Sequence, residues 1–140
     1  MRIADCVVCQ ISIGRVPAYR VFENDRTFAF MKHDPISDGH VVVATVAHVE
    51  SIYELPPLDC GAVLLTAKLV AIGLREALRP PGLTLMQANG AAAGQSTPHF
   101  SLHLVPRWAG NGLGMSDHAT ARRDRIQEIG ERIRRSTPRL

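Results

Sequence analysis

The segment from Leu58 to Leu78 does most to limit what this chain can become. It has helical length and good helix formers, and Val63, Leu64, Ala67, Val70, Ala71, Leu74 and Leu78 recur at intervals of three and four, so one side of a helix needs a partner. Prolines mark both ends. Pro56 and Pro57 can open the helix, whose first turn leaves amide hydrogens unused, and Pro80-Pro81-Gly82 closes it, because proline supplies no donor and restricts the residue before it.

The flanking sequence is β-rich and comes in short pieces. Tyr19 to Phe22 and Thr27 to Met31 are aromatic and apolar runs separated by Glu23-Asn24-Asp25-Arg26, which predicts a hairpin. Pro35-Ile36-Ser37-Asp38-Gly39 punctuates the chain, and the β-branched run from His40 to Val46 predicts a third, largely buried strand. Leu83 to Gln87 and Phe100 to Val105 give two more, joined by a glycine- and alanine-rich loop over 89–98. The expected class is α+β, an antiparallel sheet of about five strands with one long helix.

Beyond Trp108 the composition shifts to Gly110, Gly112 and Gly114, and then to a polar stretch with Ile126, Ile129 and Ile133 at helical spacing. This predicts a loop and a short amphipathic C-terminal helix. Residues 1–108 are expected to form the main domain, and 109–140 an appendage of the same single-domain chain. With 140 residues, 46% of them hydrophobic, the chain can bury one core without disulfides. Its formal charge of +3 owes much to Arg122, Arg123, Arg125, Arg132, Arg134, Arg135 and Arg139 near the end, the pattern of a solvated helix face, so nucleic acid is not the expected partner. No uninterrupted apolar run reaches the roughly 20 residues of a membrane span, and the opening MRIADCVVCQ lacks the apolar core of a secretory signal. A cytoplasmic location without membrane attachment is expected.

Two places carry chemistry. Cys6-Val7-Val8-Cys9 brings two thiols close enough to share one tetrahedral zinc, with two distant histidines as the obvious further ligands; the alternative is a reduced thiol pair in a core. The third cysteine, Cys60, lies in the long helix and reads as packing. The other place is the loop Asn89-Gly90-Ala91-Ala92-Ala93-Gly94-Gln95-Ser96-Thr97-Pro98 running into His99-Phe100-Ser101-Leu102-His103. Alternation in a strand sends residues 99, 101 and 103 to one face.

This segment resembles the signature of the histidine-triad family, a glycine-rich loop leading into a strand that reads His-x-His-x-His followed by apolar residues. The Cys-x-x-Cys, Pro17-Ala18-Tyr19, the hairpin, Pro35, Gly39-His40 and His48-Val49-Glu50 match in order, so the resemblance spans about residues 5–108. It implies a homodimer whose sheets join across a two-fold interface, and a purine nucleotide or nucleotide conjugate as ligand. It also implies a structural zinc on Cys6, Cys9, His48 and His99. Asn89 would reach the sugar, Gln95 and Ser96 the phosphate region, and His103 the phosphate itself. Ile11 and Phe30 resemble base-pocket walls, with core packing as the alternative. His40 is expected to be a structural hydrogen-bonding residue, whereas His33 and His118 have no assigned role.

Two positions depart from the family pattern. The family's middle histidine attacks phosphorus to form a nucleotidyl-imidazole, but here the position is Ser101, a weaker nucleophile that needs a neighbouring base, with His103 the better candidate. Three explanations stay open: a binding protein that has lost catalysis, an enzyme with altered chemistry, or a substitution introduced to trap ligand. The second departure is Lys32, where many relatives place an aspartate that accepts from the ribose hydroxyls; an ammonium has no acceptor, so Lys32 reads either as a partner for a phosphate or carboxylate or as a solvated surface residue, with Asp34, two residues on, as the substitute acceptor if the segment stays extended.

Overall fold

The structure, a computed structural model, describes residues 4–110 and 123–139, so Gly112, Gly114, His118 and Arg122 lie outside the described residues. Strands β1 (Arg20–Glu23), β2 (Thr27–Met31), β3 (Val41–Thr45), β4 (Gly82–Met86) and β5 (Ser101–Arg107) form one antiparallel sheet in the order β1-β2-β3-β5-β4. Helices are α1 (Val7–Ser12), α2 (Pro57–Leu78) and α3 (Ile126–Ser136). The α+β class, the five strands, the long helix and the C-terminal helix are all as the sequence predicts.

Every residue of β2 and β3 is buried because the sheet is covered on both sides. Register separates the two faces. Ala29, Val43 and Leu102 align across β2, β3 and β5, as do Met31, Val41 and Leu104, and this face packs on Val63, Ala67, Val70 and Leu74 of α2. On the opposite face Phe28, Ala44 and Ser101 form one rung and Phe30, Val42 and His103 the next. Here α1 covers the aromatic end with Cys6, Val8, Cys9 and Ile11. The two longer helices thus build the core on one face and leave the polar side chains of β5 on the other.

By length and composition α2 is apolar enough to cross a membrane, yet it serves here as the core helix of the sheet. Its other side is less buried than the sequence reading implies. Leu64, counted with the buried stripe, is 61% exposed, and Leu58 and Leu65 are exposed beside it. Cys60 is also exposed and does not pack. It lies in the first turn, ahead of Val63, and that turn is held instead by Asp59, whose carboxylate accepts from Arg26 at 2.8 Å.

α1 is not foreseen by the sequence reading, since six residues are too few to show a helical period. Cys6 caps it by accepting from the Cys9 amide at 3.4 Å, and Arg20 donates to the carbonyls of Ile11 and Ser12 at 2.5 and 2.8 Å. The expected appendage also proves to be part of the core. Ile129 and Ile133 of α3 are 1% and 0% exposed and join the cluster between α2 and the sheet. The chain just after α3 approaches α2 so closely that a Cβ on Gly73 would lie 2.7 Å from the Cα of Thr137, so only glycine fits there. Ile133→Ala is therefore expected to destabilise the fold by about 3 kcal/mol, read as a lower urea midpoint at unchanged slope. A cost under about 1 kcal/mol would return α3 to the status of an appendage.

Candidate functional site

The site grows from the start of β5. His99 precedes the strand, fully buried, and its Nε2 lies 2.7 Å from the carbonyl oxygen of Thr45, so Nε2 carries the proton and Nδ1 is left with its lone pair. That nitrogen is 3.4 Å from the Cys6 sulfur and 3.6 Å from the Cys9 sulfur, and His48 places its own Nδ1 3.3 Å from Cys9. All four ligand atoms lie within 4.8 Å of one another. Zinc with sulfur at about 2.3 Å and nitrogen at about 2.1 Å, in tetrahedral angles, sets sulfur and nitrogen about 3.6 Å apart, so the donor set fits that ion in chemistry and spacing. Thr45 is the outer partner that fixes the His99 tautomer. Burial pushes the Cys6 thiol up and the His99 imidazole down, with the nearby His48 adding to the latter, so the pocket disfavours net charge until a cation compensates it.

Two residues further along β5, Ser101 is half-buried and donates its hydroxyl to the carbonyl of His99 at 3.1 Å. His103 follows on the same face. The amide of Ile36 donates to Nδ1 of His40 at 3.0 Å, so the neutral His40 ring carries its proton on Nε2, which stands 2.9 Å from Nδ1 of His103. His103 accepts there and bears its own proton on Nε2. Burial, helped by the charge of Lys32, pulls the His103 pKa down to about 4, so the ring is neutral at pH 7. It presents a hydrogen-bond donor, not a base. The base expected for Ser101 is therefore not supplied: both His99 nitrogens are engaged, and His103 has a protonated nitrogen to offer. His40 is the structural hydrogen-bonding residue the sequence reading expects, and its task is to orient His103.

These residues line a cavity of about 1010 Å³, within the range of small-molecule sites. His99, Ser101 and His103 all reach it, as the alternation of β5 predicts. Ile11 and Phe30, 8% and 5% exposed, wall it with Val42 while also packing in the small core beneath α1. Ser96 and Lys32 line it too. Gln95 does as well, but its amide is spent inside the loop, accepting from Gly90 N at 2.7 Å and donating to the carbonyls of Glu50 and Thr97 at 2.8 and 2.9 Å. Gln95 holds the loop in shape.

Two expected residues are not brought to the cavity. Asn89 is turned aside: its amide pairs with Gln87, at 2.7 and 2.9 Å, and accepts from the amide of Ile52 at 2.8 Å. Asp34 does not line the cavity either, because the chain leaves the strand after Met31 and its carboxylate pairs with Arg123. It is not the extended-chain neighbour of Lys32 that spacing suggested. Conversely, Arg123, Ile126 and Gln127 line the cavity, as does His33, which had no role. The tail residues carried a helical period but nothing to say where that helix would dock.

Comparison with known proteins bears on the family and the fold. An uncharacterised HIT-like protein of Mycoplasma genitalium is 35% identical over 121 residues, 86% of either chain. An adenosine 5'-monophosphoramidase of Candida albicans is 27% identical, covering 94% of this chain and 90% of its own. Among solved structures, a zinc-bound histidine triad family protein of Mycobacterium smegmatis superposes with a TM-score of 0.83 at 28% identity, over 94% of this chain and 92% of the other. The family model described as the HIT domain matches residues 14–110, which run from just after α1 to just past β5, and on that match the chain belongs to the HIT domain family.

Proposed function

We propose that the cavity binds a purine nucleotide or nucleotide conjugate, with the base against Ile11, Phe30 and Val42 and the phosphate at Ser101 and His103. The inherited reaction is hydrolysis or nucleotidyl transfer at phosphorus, weakened here by the serine. The observation that carries this reading is the neutral His103 whose free N–H faces an apolar-walled cavity: it suits a phosphate oxygen and leaves Ser101 without a proton acceptor. The Candida relative, named as an adenosine monophosphoramidase, supports the ligand class. Because Ser101 donates to a carbonyl, a second reading, a nucleotide-binding module without turnover, is also supported. Calorimetry with AMP tests the common element. The protein is expected to bind AMP, and His103→Ala to weaken binding about tenfold or more. Equal affinity in the two proteins would place the phosphate elsewhere.

Zinc is the ion we assign to Cys6, Cys9, His48 and His99. It would hold α1 against the start of β5, with four protein ligands and no open position, so its part is structural. Two buried free thiols also suit the reducing cytoplasm.

The homodimer is supported by what the fold leaves uncovered: β4 is an edge strand with Leu85 exposed, and α2 turns Leu58, Leu64 and Leu65 outward. Light scattering is expected to give twice the chain mass of 15.3 kDa, and a Leu64→Glu/Leu65→Glu double variant the chain mass itself. A monomeric wild type, or a double variant that stays dimeric, would set this interface aside.

A further inference from the structure

We propose that Lys32 sets ligand specificity, selecting nucleotides that carry a second anionic group besides the phosphate held at His103; this deepens the nucleotide reading above and rests on it. The starting point is a cation in the cavity with no direct partner among the described residues. Lys32 is half-buried and lines the cavity, and its ammonium makes no hydrogen bond or ion pair among the described residues. Asp34, the carboxylate nearest in sequence, is taken by Arg123. An ammonium in that position can make a charge-assisted hydrogen bond to an anionic ligand.

Its place is well defined. The Lys32 amide donates to the carbonyl of His40 at 3.0 Å, and the His40 ring in turn contacts His103, so backbone and ring bonds tie the lysine to the phosphate-side histidine. Phe30 shares a rung with Val42 and His103, and Lys32 follows directly on Met31, the last residue of β2, and lines the same cavity as His103. One ligand can therefore meet His103 with one phosphate and Lys32 with another anion. The chemistry supports two different partners: His103 is an uncharged donor, and Lys32 supplies the charge.

The test is binding of AMP, adenosine 3',5'-bisphosphate and adenosine 2',5'-bisphosphate to wild type, Lys32→Met and Lys32→Arg. Wild type is expected to bind at least one bisphosphate about tenfold or more tightly than AMP. Lys32→Met should bring that ratio to within about threefold of unity, and Lys32→Arg should restore the preference. If AMP binds but neither bisphosphate is preferred, or if the preference survives Lys32→Met, or if Lys32→Met weakens AMP as much as the bisphosphate, this inference fails and the nucleotide site stands. If none of the three binds, both fail together.

Discussion

Replacing Ser101 with histidine is expected to raise the release of AMP from adenosine 5'-phosphoramidate by about 100-fold or more, followed by mass spectrometry of the product at pH 7. On the nucleotide reading proposed above, the cavity offers a phosphate-side histidine but no nucleophile ready to react at position 101. The Ser101 hydroxyl keeps its proton and spends it on the His99 carbonyl, 3.1 Å away. The one imidazole on the same face with a free nitrogen, His103, has that nitrogen protonated by the chain of bonds from Ile36 through His40. An imidazole at 101 would bring a nitrogen lone pair that needs no base, on a longer side chain that reaches further into the cavity. Its rung neighbours are Phe28 and Ala44, and small Ala44 leaves β3 uncrowded beside it. Ser101→Ala should match the wild-type rate within about threefold. A tenfold fall in Ser101→Ala would instead show that serine is the nucleophile, and no gain in Ser101→His would show that phosphorus is not held against position 101.

How much of this was legible in the sequence depends on the range of the interactions that fix each residue. The strands and α2 were legible because each announces itself within its own segment, by alternation, by a three-four period, or by a proline at the boundary. The cavity faces of His99, Ser101 and His103 followed from alternation alone. The docking of α3 did not, since the close contact of Gly73 with Thr137 joins positions far apart in the chain and neither residue is unusual by itself. That Asn89 and Asp34 do not line the cavity has a similar cause. Each is a polar residue near the site in sequence, and in each case a partner from elsewhere, Ile52 with Gln87 or Arg123, takes up the side chain. His40 reads as a structural residue in the sequence, but that it fixes the tautomer of His103 follows only from the 2.9 Å contact between β5 and the loop before β3. The four residues of the Cys/Cys/His/His cluster come together in the sequence only through ordered family motifs; spacing in the chain points only to the cysteine pair.

Cys9→Ser is expected to abolish metal binding and to lower the melting temperature by about 10 °C or more. Cys9 is the ligand whose sulfur contacts both histidines, at 3.3 Å to His48 and 3.6 Å to His99, so its loss dismantles the site. The substitution keeps nearly the same volume, which separates loss of metal from loss of packing. A structural zinc contributes its binding free energy to folding, and at about 2–4 °C per kcal/mol for a chain of this size a loss of roughly 4 kcal/mol gives the stated shift. The bonds at risk are specific: α1 has only six residues, is held to the sheet by Cys6, Val8, Cys9 and Ile11, and forms one wall of the cavity, so AMP affinity should fall with the metal. Elemental analysis of wild-type protein purified without added metal should find about one zinc per chain, and Cys9→Ser less than about 0.2. A chelator should then bring wild type down to the melting temperature of Cys9→Ser and leave the variant unmoved. Less than about half an equivalent in wild type, or a melting temperature indifferent to chelator, would make the four residues a reduced thiol pair beside two hydrogen-bonded histidines, and α1 a helix held by its apolar side chains and the Arg20 cap alone.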